Sequence, residues 1–310
     1  MTETSEKAAP EEIRAVPVRH YGRWVAGAVI LLLAVIVGRS VVTNANMQWD
    51  VVGDYLFNDR VLRGLQNTLI LTVVSMLIGV VGGVVLAVMR LSPNPLTSGA
   101  AGLYIWLFRG TPLITQLVIW YYFALFYPRL GLGIPFGPEF VSANTNQLIT
   151  QFIAALLGLG LNEAAYMAEI VRGGIQSVDE GQIEASSALG MSRAKTLRRI
   201  ILPQAMRVII PPTGNETIAM LKTTSLVVVI GYFELMTSVQ QIYAQNYKIA
   251  PLLIVAALWY LFMTSVLTVI QRQIEKRFAR GTSRAVPQRG NWASRMFGFR
   301  GADTTGGLAR

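Results

Sequence analysis

Long apolar runs separated by short polar stretches dominate the chain. Residues 64–89, 140–162 and 249–271 carry no charged residue, and each is long enough to cross about 30 Å of hydrocarbon as a helix. A fourth run, 103–127, is interrupted only by Arg109, and a fifth, 208–233, holds Pro211, Pro212, Gly214, Glu216 and Lys222. A sixth, 24–42, is shorter and ends near Arg39. Its core, Val25–Val37, also has the length of a signal-peptide apolar region, and Ala45 is small enough to mimic a cleavage site. The long, acidic-starting arm before it favours an uncleaved helix, with Arg39 reaching the outer interface. The expected fold is an all-α integral membrane protein with about six transmembrane helices.

The placement of basic residues orients these spans. With both termini cytoplasmic, the inner segments 1–23, 90–102, 171–207 and 272–310 hold 20 Lys or Arg, and the outer ones hold only Arg60, Arg63, Arg129 and Lys248. Such an asymmetry is a topology signal. It accounts for the net charge of +10 without a nucleic-acid partner. Residues 1–23 read as a cytoplasmic arm, 273–310 as a basic flexible cytoplasmic tail, and the Gly/Pro-rich 128–146 as an external loop.

Composition then removes whole classes of function. The chain is 310 residues long, 53% hydrophobic and 14% charged, against about 25% charged in ordinary soluble domains. Cysteine is absent and His20 is the single histidine, so neither a thiolate or His-based metal site nor a cysteine nucleophile is available. No phosphate-loop motif occurs; GLGLNE at 158–163 lacks the lysine. The chain is therefore not expected to be an enzyme, and any ATP-driven step requires a partner.

The inner loop 171–207 is long for a connection between membrane helices, and long loops carry function. Ser177 and Glu180 form a capping-box pattern that predicts a helix from Ser177 to Leu189, weakened by Gly181 and closed at Gly190. Ser192 is placed to cap a second helix, which Pro203 ends or kinks. Ala185, Ala188 and Leu189 share one small or apolar face, suited to a partner's groove, while Arg193, Lys195, Arg198 and Arg199 suit anionic headgroups or acidic residues. An amphipathic helix pair lying on the membrane fits the same pattern.

Charges inside spans cost about 2.5–3.5 kcal/mol each on insertion scales, so they should face a pore, a partner helix or the interface. The candidates for a polar translocation path are Glu163, Glu169, Asn215, Glu216, Lys222 and Arg109. Glu216 and Lys222 lie about 9 Å apart along a helix and on different faces, unless Pro211, Pro212 and Gly214 break it. Packing and topology roles remain open for all of these residues. Asn215 can bond between helices, Arg109 can gate or snorkel, and Pro112 can fix a helix start or kink.

Four stretches together resemble the permease subunits of ABC importers, in the histidine/glutamine/arginine-type polar amino-acid branch. They are Phe108–Pro112 (FRGTP), Ala165–Val178 (AYMAEIVRGGIQSV), Glu184–Gly190 (EASSALG) and Pro211–Leu226 (PPTGNETIAMLKTTSL). The resemblance spans about residues 64–272 and implies a five-helix permease core, to which 24–42 adds an N-terminal helix. It implies that Glu184, Ala185, Ser186, Ala188 and Gly190 form the coupling helix region that docks into an ATP-binding subunit. Ser186 stands where the family has its second Ala, and Thr223 stands where relatives commonly have Asp, removing a possible partner of Lys222. The implied partners are an ATP-binding subunit dimer, a second permease subunit (identical or different), an extracytoplasmic substrate-binding protein and membrane lipid. ATP and Mg belong to the ATPase, with no cofactor on this chain. The implied site of action is the bacterial cytoplasmic (inner) membrane, and the implied cargo is a polar amino acid.

The rival reading is a secondary transporter or channel without an ATPase. An intramembrane enzyme fits poorly, since no expected span holds Asp or His. The variant Glu184→Lys separates the first two. Uptake assays on membranes should show transport lost under the ABC reading and intact under the rival.

Overall fold

Short polar caps set where the membrane helices begin. In the computed structural model, which describes residues 21–134 and 139–278, Asn58 Oδ1 accepts from Arg60 N at 3.0 Å and opens α3 (Asp59–Arg90). Asn94 Oδ1 accepts from Leu96 N at 2.9 Å to open α4 (Pro95–Gly110), whose first-turn proline needs no donor. Thr150 opens α7 (Gln151–Gln176) in the same way. Ahead of these come α1 (Tyr21–Thr43), with no buried residue, and the amphipathic α2 (Trp49–Leu56), which buries Val52. The arm before residue 21, including His20, and the tail after 278 lie outside the described residues.

Among the described residues four helices, α1, α3, α7 and α12 (Ile249–Phe278), are long and apolar enough to cross a membrane; two bent pairs raise the number to as many as six. The 103–127 run is not one straight span. It breaks at Thr111–Pro112, where α4 and α5 (Leu113–Tyr121) meet at 102°. The 140–162 run is displaced towards the C-terminus. Its first part forms an antiparallel hairpin, β1 (Arg129–Gly133) with β2 (Glu139–Asn144), and the short α6 (Thr145–Leu148), so the helix itself covers 151–176.

The third departure concerns the prolines. The chain stays helical through Pro211 and Pro212 in α10 (Leu202–Thr223), and the break comes later, at Gly231. A 3-10 stretch, Thr224–Ile230, leads to Gly231 (φ 72°), and α11 (Leu235–Asn246) departs at 47°. The carbonyls that Pro211 and Pro212 deprive of donors, those of Arg207 and Val208, belong to exposed residues. On the other side, Gln271 of α12 bonds the Pro211 carbonyl at 3.3 Å and packs on Gly214. Pro203 does not end its helix either. A π-turn over Leu197–Ile201 joins the short α9 (Arg193–Thr196) to α10, widening the backbone just ahead of the proline ring.

The core rests on α3 against α7. Added Cβ atoms would run into Glu163 at Gly79, Ala164 at Gly82 and Met167 at Gly83; at Gly160 the obstacle is Ile78. Water cannot drive helices together inside a bilayer, so close backbone approach through small residues replaces it. Leu71, Leu117, Leu159 and Val227 fill the middle, and Ala87, Met167, Val171, Ala205 and Ile209 fill the end near residue 176.

At the opposite end Glu234, 0% exposed, caps α11. It accepts bonds from Met236 N (2.9 Å), Thr237 N (2.7 Å), Thr237 Oγ1 (3.0 Å), Tyr260 OH of α12 (3.0 Å) and Thr68 Oγ1 of α3 (3.4 Å). One carboxyl group thus staples three helices.

Gly79→Val and Gly83→Val should each prise α3 from α7, at about 1–3 kcal/mol. Gly99→Val, at a glycine with nothing within 4 Å, should be neutral by comparison. Thermal unfolding of the purified protein measures the difference. Equal midpoints for all three would contradict the packing.

Candidate functional site

Pro112 has no N–H, so the helix must break and the Phe108 carbonyl four residues earlier loses its backbone donor. The resulting elbow projects Arg109, whose guanidinium sits 5.2 Å from the ring centroid of Tyr166 on α7. Glu163, one turn before Tyr166, is 4% exposed, and its Oε1 has no hydrogen-bond partner among the described residues. Glu216 on α10 is half-buried and lies within electrostatic reach of both Glu163 and Arg109. Arg109, Glu163 and Glu216 thus come from three helices into one neighbourhood, and among the described residues no ion pair joins the guanidinium to either carboxyl group. They offer two carboxyl groups and one guanidinium near the middle of the bundle, since Glu163 lies about 18 Å from each end of α7.

The other path candidates are bonded to other partners or exposed, although Glu169 also lies within electrostatic reach of Arg109. Glu169 pairs with Arg172 at 2.5 Å, and Arg172 also donates to Gln176 at 2.6 Å, a belt on the last turns of α7. Asn215 accepts from Gln271 of α12 at 2.9 Å, so it bonds between helices. Lys222 is exposed and forms no ion pair with Glu216. A cavity of about 530 Å³ between α3, α7, α10 and α12 is lined by apolar side chains such as Val84, Met167, Ile209, Ile218 and Ile270, and by none of the charged candidates.

The loop helix, α8 (Glu180–Ala188), starts later than the capping-box pattern suggests. Ser177 closes α7 instead, donating to the Gly174 carbonyl at 2.7 Å, and Asp179 caps α8 by accepting from Gly181 N at 2.9 Å. The helix ends as expected at Gly190 (φ 70°). Met191 N bonds Ser186 O and Gly190 N bonds Ser187 O, each at 3.0 Å, a Schellman pair. Glu184, Ala185, Ala188, Leu189 and Gly190 are exposed, with Leu189 at 81%. Ser186 turns inward, 1% exposed, and its hydroxyl meets Thr196 Oγ1 at 3.0 Å, fixing α8 to α9. Of the five loop residues singled out in the sequence, four present an outer surface and Ser186 holds that surface in place.

Sequence reasoning missed Asn162, Gln116 and Glu234. The signal for the first two was Pro112: a carbonyl stripped of its donor inside a membrane needs an amide from elsewhere. Among the described residues no group of three or more His, Asp or Glu side chains is placed to hold a metal ion.

Known proteins share this architecture. The family model for binding-protein-dependent transport system inner membrane components matches residues 79–280. The arginine transport system permease protein ArgU of Corynebacterium glutamicum is 50% identical over 284 residues, covering 91% of this chain and 88% of that protein. The glutamine transport system permease protein GlnP of Escherichia coli K12 is 36% identical over 231 residues, covering 74% and 98%. A crystal structure of an amino acid ABC transporter with histidines superposes with a TM-score of 0.60 at 36% identity, covering 70% of this chain and 94% of that one. The chain belongs to the binding-protein-dependent transport system inner membrane components, the permease subunits of ABC importers.

Proposed function

We propose that this permease passes a polar amino acid with a basic side chain through the bilayer, and that Arg109, Glu163 and Glu216 line the passage. The observation that carries this reading is their convergence at mid-bundle. An amino acid of that class brings an ammonium group, a basic side chain and a carboxylate. Two carboxyl groups can accept from the first two, and one guanidinium can hold the third. The naming of the Corynebacterium relative for arginine supports the same cargo class. Glu169, Asn215 and Lys222 serve structure or topology in this reading.

The driving force enters through α8. Its exposed face of Glu184, Ala185, Ala188 and Leu189 fits a groove on an ATP-binding subunit, with Ser186 and Thr196 locking the helix to the rest of the loop. The assembly we propose contains two ATP-binding subunits holding ATP and Mg, a second permease subunit, identical or different, and an extracytoplasmic binding protein that delivers cargo. The loop 177–203 and both termini are cytoplasmic, 24–42 is a retained sixth helix, and 64–272 is the permease core.

Glu163→Gln and Glu216→Gln test the passage in reconstituted transporter. Uptake of a labelled basic amino acid should fall about tenfold or more, the scale of one lost charge-assisted contact, with assembly unchanged. Full uptake and full cargo-stimulated ATP hydrolysis in both variants would overturn it.

A further inference from the structure

The break at Pro112 leaves one half-buried carbonyl to satisfy, and two side-chain amides converge on it. Gln116 Nε2 donates to Phe108 O at 2.9 Å and to Thr111 Oγ1 at 2.8 Å. Asn162 Nδ2, from α7, donates to the same Phe108 O at 2.9 Å and to Gln116 Oε1 at 3.2 Å. A single amide would satisfy the carbonyl. Two amides from different helices fix it in two directions. Tyr104 adds a third restraint, stacking on the Phe108 ring at 4.4 Å while its hydroxyl donates to Leu161 O at 2.9 Å.

The geometry matters for the next residue along. Asn162 and Tyr166 stand four apart, on one face of α7. Asn162 holds the carbonyl of residue 108 while Tyr166 holds the guanidinium of residue 109, so consecutive residues of the elbow are gripped by consecutive turns of α7. Backbone hydrogen bonding gives the elbow little of this precision, because the helix ladder is interrupted there.

We infer that Asn162 and Gln116 are positioning residues for transport: their paired amides latch the elbow at Phe108 and so hold Arg109 over the Tyr166 ring, one turn of α7 from Glu163. The inference rests on the proposed passage, in which Arg109 meets the cargo. A group that acts only through Arg109 has no effect once Arg109 is gone. A group that only supports the fold acts independently of it.

A double-mutant cycle in the complete transporter, with ATPase and binding protein, reads the distinction. Arg109→Gln, Asn162→Ala and Gln116→Met (similar in volume, without the amide) should each lower the maximal uptake rate about tenfold at little changed half-saturation. Arg109→Gln combined with either latch variant should be no slower than Arg109→Gln alone. A readout independent of turnover uses the absence of cysteine from the chain. A thiol placed at Gly110 should label several-fold faster with a water-soluble maleimide when Asn162 is Ala, because the elbow is released. Multiplying losses, near a hundredfold in the double variants, would overturn the latch and leave the passage standing. So would full uptake in both latch variants beside a defective Arg109→Gln, or an unchanged labelling rate. Full uptake in Arg109→Gln would overturn the latch together with Arg109's part in the passage.

Discussion

Inside a bilayer every polar backbone group must find its partner within the protein, and among the described residues two membrane helices are sharply bent at a break. Each interruption is repaired by polar side chains, some from the segment that follows the break and some from other helices. At Pro112 the repair is made by Gln116 and Asn162, and at Gly231 the new helix is capped by Glu234, with Thr68 and Tyr260 completing the shell. The repairs are also tertiary contacts, so the irregular points of the backbone become points at which helices are tied together. That requirement explains why uncharged amides and a fully buried carboxyl group occur in a chain otherwise so poor in polar side chains.

The two repairs have different consequences. Around Glu234 all the contacts are internal, and the result is a rigid joint between α3, α11 and α12 at one end of the bundle. At the elbow the repair holds Arg109 over the Tyr166 ring, one turn from Glu163, whose Oε1 has no partner among the described residues. Glycines on α3 bring that carboxyl against the opposing backbone, so Gly79 both tightens the packing and limits where the Glu163 side chain can go. Towards residue 176, α8 is tied to α9 through Ser186 and to α10 through Gln182, which accepts from Gln204 at 2.5 Å. A push on α8 therefore reaches α10, the helix that carries Glu216.

Much of this was legible in the order of residues. Charge-free runs located α3 and α12, and the shorter apolar run ending near Arg39 located α1, since bilayer thickness constrains hydropathy directly. The Ala185, Ala188 and Leu189 face of α8 and its end at Gly190 follow from helical spacing and a positive φ. The start of α8 was misread because Ser177 and Glu180 match a capping box while α7 continues to Gln176, and Ser177 is needed to finish it. Pro211, Pro212 and Gly214 made a break in the fifth run plausible at that point. Packing of Gly214 on Gln271 keeps that stretch helical, and the bend moves to Gly231, where the glycine's own conformation permits it. Asn162 and Glu234 were missed because their partners lie as far as 54 and 166 residues away, and Gln116 because the carbonyl that Pro112 strips of its donor was not traced to it.

The account stands or falls on whether the convergence of Arg109, Glu163 and Glu216 meets the cargo. The chain has no cysteine, so a single thiol at Glu216 can be titrated in the assembled transporter with a water-soluble maleimide while the binding protein delivers either cargo or nothing. Labelling that proceeds without cargo and slows when cargo is delivered is the predicted result. A thiol that reacts only with a lipid-soluble reagent, or at a rate indifferent to cargo, would contradict it.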